Sequence, residues 1–65
     1  MNTAEKLVMM ANQIAANLAH EPDPAAATAE HIRLFWDPWM KDGLFSNGSD
    51  GLSAVAAAAM SKLSA

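Results

Sequence analysis

Ala19-His20-Glu21-Pro22-Asp23-Pro24-Ala25, at residues 19–25, interrupts what would otherwise be one long alanine-rich helix. A proline biases the residue before it away from helical angles, so Pro22 and Pro24 both act against a helix running through this segment. Asp23, however, is a good N-cap and Pro24 suits a first helical position, so the residues that stop one helix also start the next. The break is short and stiff. It predicts two helices folded back on each other as an antiparallel hairpin.

Upstream of the break, Leu7, Met10, Ala11, Ile14 and Leu18 recur at three- and four-residue steps. This spacing predicts a helix from an Asn2 cap, supported by Glu5, to about Ala19, with that stripe facing inward. Met9 and Ala16 fall on the opposite side and Val8, Ala15 and Ala19 along one flank, which leaves room for a second contact surface. His20 is expected in the last turn, where a polar or cationic group suits the negative end of the dipole. Downstream, Ala25, Ala29, Ile32, Phe35 and Trp36 make the inward stripe of the second helix, while Leu34 points away. Asp37-Pro38 repeats the cap-and-start pattern, so a brief third helix is expected from Pro38 to a stop at Gly43. Ser46-Asn47-Gly48-Ser49-Asp50-Gly51 holds no apolar residue and reads as a mobile loop. Ser53 is placed to cap a final helix to about Leu63, with Leu52, Val55, Ala56, Ala59, Met60 and Leu63 on one broad face. There is no internal repeat, sustained heptad or strand alternation. The expected fold is all-α: one domain over residues 1–65, a small bundle of three to four short helices made of the hairpin, a short third helix and an Ala-rich C-terminal helix.

Bulk composition sets limits on this assembly. A chain of 65 residues with no cysteine has no disulfide and no Cys-held metal to staple it. Chains of this size bury only about 60% of the surface that the unfolded form exposes. Fifteen alanines supply much of the 52% apolar content, and each adds little area to a core. The interior is therefore thin, and contact with a larger partner is expected to complete it. Seven acidic against four basic residues give a net charge of −3, without the basic cluster of a nucleic-acid binder. No apolar run approaches the ~20 residues that span a bilayer, and the N-terminus does not read as a signal peptide. Neither nucleic acid nor membrane is expected as a partner, and the expected location is cytoplasmic.

Chemistry-bearing motifs are scarce. His20 and His31, beside Glu21 and Glu30, sit on different helices with nothing to complete a metal shell, so both are read as surface or dipole-end residues. No nucleophile elbow, phosphate loop or Gly-x-Gly-x-x-Gly fingerprint occurs. The Asn12, Gln13 and Asn17 amides are expected to be solvated or bonded to backbone. In contrast, three of the four aromatic residues gather in Glu30–Met40, and Trp is enriched where proteins meet. Trp36 is expected mainly inside the domain, and Trp39 is the better placed for a partner. Binding is therefore indicated and catalysis is not.

Leu-Val-Met-Met-Ala-Asn-Gln-Ile-Ala at 7–15, His-Ile-Arg-Leu-Phe-Trp-Asp-Pro-Trp-Met at 31–40, and Gly-Leu-Ser at 51–53 before an Ala-rich helix occur here in order. In these strings the chain resembles the delta subunit of soluble NAD-dependent, molybdenum-containing formate dehydrogenases. The resemblance implies a non-catalytic accessory subunit that aids assembly, cofactor maturation or stability of the catalytic subunit. It also implies that the partner subunits carry bis-molybdopterin guanine dinucleotide, iron–sulfur clusters and FMN, while this chain carries none. Two positions depart from the pattern: Trp39 stands where a basic residue is expected, and Ala54 where proline is common. The docking surface is expected to comprise Met9, Arg33, Trp36, Asp37, Pro38, Trp39 and Met40. A dissociable maturation chaperone and a free-standing regulatory homodimer are the alternatives.

Overall fold

The computed structural model describes residues 3–48 and 50–64. Four helices follow in order: α1 (Thr3–Asn17), α2 (Pro24–Phe35), α3 (Pro38–Asn47) and α4 (Ala54–Ser64), with no strand among the described residues. The all-α expectation holds, and so do its starting signals. Asp23 caps α2 through a 3.2 Å bond from the Ala26 N–H to Oδ1, with Pro24 in the first turn. Ser53 Oγ accepts from Ala56 N–H at 3.3 Å at the start of α4. Asp37 occupies the corresponding place before α3 but makes no side-chain cap; its carbonyl instead accepts from the Met40 and Lys41 N–H groups. The expected Asn2 cap lies outside the described residues.

Two boundaries differ from expectation. α1 stops at Asn17, and His20 lies in the turn beyond it rather than in the last helical turn. α3 does not stop at Gly43 but runs through Ser46 and Asn47 to Gly48, whose φ of 69° provides the left-handed step. The reason lies in a contact between distant residues. A Cβ on Gly43 would sit 2.6 Å from Leu7 Cδ1, and Leu7 is only 2% exposed. Glycine here lets α3 lie close on α1, and that packing outweighs the helix penalty of about 1 kcal/mol.

The helix pairing is also different. α2 packs most extensively on α4, and α1 on α3, so the α1–α2 hairpin is a minor seam. The faces rotate accordingly. In α1 the buried residues are Leu7, Val8, Ala11 and Ala15, whereas Met10 is exposed and Ile14, like Leu18 just past the helix end, is half-buried. In α2 they are Thr28, Ala29 and Ile32, followed by Trp36, while Phe35, expected inward, is turned to solvent.

Five of the ten buried apolar residues are alanine: Ala11, Ala15, Ala29, Ala56 and Ala59. Only Ile32, Leu44, Leu7, Val8 and Trp36 bring larger groups, and full burial of such a side chain stabilises by roughly 1.5–3 kcal/mol. The globule nevertheless closes. Its 10.4 Å radius of gyration and 3928 Å² surface match the ~11 Å and ~4000 Å² expected of a folded chain this size.

Of the expected 46–51 loop, Ser49 lies outside the described residues, Ser46 and Asn47 belong to α3, and side-chain hydrogen bonds reach the described residues of the α3–α4 connection. Asn12 Nδ2 donates to Gly51 O at 2.9 Å and Asn12 Oδ1 accepts from Ser53 N–H at 2.8 Å. Asn47 Nδ2 adds a 3.0 Å bond to Asp50 O. The Asn12 amide is thus backbone-bonded, as expected.

Candidate functional site

The α2–α3 corner is built by Trp36-Asp37-Pro38. Pro38 disfavours helical angles at Asp37, and both Trp36 (φ −87°, ψ 139°) and Asp37 (φ −70°, ψ 156°) are extended. The chain turns there with the Trp36 N–H still bonded to Ile32 O at 3.0 Å. This corner separates the two indoles. Trp36 enters the core at 6% exposure, while Trp39 stays 60% exposed. Leu34 and Phe35, just before the corner, are also exposed, so three large apolar side chains face solvent within six residues. His31 packs on Phe35 with ring centroids 4.9 Å apart.

The expected docking residues divide into three groups. Asp37, Pro38 and Trp39 are exposed on the corner, and Arg33 is exposed one turn earlier. Trp36 and Met40 belong inward: Trp36 lies in the core and Met40 is half-buried against it. Met9 is exposed but lines a different groove with Asn47, Asp50 and Gly51. That groove meets the far end of α3, about 12 Å along the helix from Trp39 at 1.5 Å per residue.

Beside the corner lies a groove of about 400 Å³ between α2, α3 and α4. Ala26, Ala29, Phe45 and Leu63 give it apolar walls, and Glu30, Arg33, Lys41 and Lys62 give it charge. Arg33 Nη2 donates to Glu30 Oε1 at 2.7 Å. That hydrogen bond, and then the carboxylate's charge, raise the guanidinium pKa above its usual value. Lys41 Nζ donates to Arg33 O at 3.1 Å, a cation on a carbonyl near the C-terminal end of α2. Lys41, Phe45 and Lys62 were not anticipated from sequence, because they lie on two helices whose pairing local periodicity does not reveal. The one signal within the sequence is that only Lys6, of the four basic residues, lies outside this group.

No group of three or more His, Cys, Asp or Glu that could hold a metal occurs among the described residues. His20 Nε2 lies 3.1 Å from Glu21 Oε2 on the surface. No helix among those residues is long and apolar enough to cross a membrane.

Fold and surface together define a small all-α protein whose most distinctive chemistry is exposed apolar and aromatic area around one helix–helix corner. The family described as NADH-dependent formate dehydrogenase delta subunit FdsD matches residues 6–60, and the chain belongs to that family. No curated protein and no solved structure matches it.

Proposed function

We propose that this chain is a non-catalytic accessory subunit of a formate dehydrogenase complex, aiding assembly, cofactor maturation or stability of the catalytic subunit. The observation that carries the reading is the exposed trio Leu34, Phe35 and Trp39 at the α2–α3 corner, in a member of the delta-subunit family. Exposed Trp beside other large apolar groups is what anchors protein interfaces. Trp39, Asp37 and Pro38 form the contact, with Arg33 at its edge; Trp36 and Met40 support it from within, and Met9 makes a second, separate contact.

The mechanism is linkage. A chain that binds only the folded, cofactor-competent catalytic subunit favours that state by mass action. In this reading bis-molybdopterin guanine dinucleotide, iron–sulfur clusters and FMN belong to the partner subunits, and the complex works in the cytoplasm. Trp39→Ala is expected to weaken retention of the chain in the complex by about 2 kcal/mol or more, roughly thirtyfold. Size-exclusion chromatography with formate-oxidation assays measures this. Unchanged assembly and activity after deletion of the whole chain rejects the proposal.

A further inference from the structure

The groove between α2, α3 and α4 stands apart in charge. Arg33, Lys41 and Lys62 against Glu30 leave it at +2. The rest of the chain, with Lys6 against six carboxylates, carries −5. Three of the four basic side chains of an acidic protein therefore meet in one concavity, although they come from three helices. Intramolecular bonding uses them only in part. Arg33 is paired with Glu30 and Lys41 is bonded to a backbone carbonyl, which leaves its positive charge without a carboxylate. Lys62 makes no ion pair among the described residues. The walls between the charges are apolar, with Phe45 36% exposed.

We propose that this groove receives an acidic segment of a partner subunit, one apolar side chain entering between Phe45 and Leu63 while flanking Asp or Glu side chains meet Lys62 and Lys41. The proposal rests on the accessory-subunit reading and specifies a second part of that surface, next to the aromatic corner. Charge complementarity selects the occupant. An acidic chain steered to its partner by net charge alone would present its carboxylates, whereas here the concave surface presents cations. Like-charge cost against basic segments and attraction to acidic ones fix register and association rate.

The test uses the full-length chain and formate dehydrogenase complex purified without it. Binding is measured across ionic strength for the unaltered chain, Lys62→Glu and Lys6→Glu. The two variants change net charge equally, but only Lys62 lines the groove. Lys62→Glu is expected to weaken binding about tenfold at low salt and to flatten the salt dependence, and Lys6→Glu to change it less than about twofold. Circular dichroism checks that both variants fold. Carbodiimide coupling, which joins amines to carboxylates in direct contact, is expected to link Lys62 or Lys41 to an Asp or Glu of another subunit. Equal effects of the two variants, or no effect of either, overturn the groove assignment while binding itself sustains the accessory reading. Crosslinks joining two copies of this chain assign the groove to a homodimer and also overturn it. Failure of the unaltered chain to bind overturns both proposals.

Discussion

The α2–α4 seam and the α2–α3 corner handle apolar surface in opposite ways. Along the seam α4 buries only Ala56 and Ala59, and α2 contributes Thr28 and Ala29 beside Ile32. Helix backbones approach closely there and little large side-chain area is involved. At the corner, large side chains are plentiful and three of them remain in water. The difference teaches that this protein's bulky apolar residues are not all devoted to its own core. Small residues bring α2 and α4 together by proximity, while Leu34, Phe35 and Trp39 are left outside.

The sharpest way to break that contrast is to truncate the two indoles in turn. Trp36→Ala removes a core side chain and is expected to cost about 3–5 kcal/mol, enough to unfold a domain of this size. Trp39→Ala is expected to change stability by no more than about 0.5 kcal/mol. Thermal and urea melts followed by circular dichroism compare them; similar losses would erase the distinction between core and corner.

Next in size is overpacking of the seam. Ala59 is fully buried, so Ala59→Leu is expected to push α4 off its neighbours and destabilise by about 1–3 kcal/mol. A neutral result would mean that the seam is looser than its alanines indicate. Asn12→Ala removes both bonds to the α3–α4 connection and is expected to cost about 1 kcal/mol. Faster amide exchange at Ser53, whose N–H donates to Asn12, should accompany that loss.

The last effect has the opposite sign. Thr28 is fully buried and its hydroxyl has no hydrogen-bond partner among the described residues. Thr28→Val keeps the shape and removes an unsatisfied group, so it should raise stability by about 1 kcal/mol. A lower melting temperature would show that the hydroxyl is satisfied in solution.

Signals carried by neighbouring residues are legible in the amino-acid order itself. The Pro22-Asp23-Pro24 break, the Asp23 and Ser53 caps, the four helices and the inward Trp36 all follow from local sequence. Legibility ends where a residue's role depends on one far away in the chain. Gly43 looks like a helix stop until Leu7 is seen beneath it. Phe35 fits an inward stripe until α4, rather than α1, proves to be the main neighbour of α2. The exposed half of the proposed contact, at Asp37, Pro38 and Trp39, is visible in the sequence as an aromatic cluster. The cationic groove is not, since Arg33, Lys41 and Lys62 meet only after three helices assemble.

By itself the sequence determined an all-α chain, where its helices begin, and a thin interior, because prolines, capping side chains and alanine content act within a turn or two of the residues that carry them. Tertiary structure alone decided which helices pair, how far α3 extends and how the covered faces of α1 and α2 are turned, whereas the α4 face of Val55, Ala56, Ala59, Met60 and Leu63 is covered as its spacing predicts. The tertiary outcomes depend on close approach between surfaces distant in sequence, where the missing Cβ of Gly43 and the two-sided amide of Asn12 outweigh local propensity.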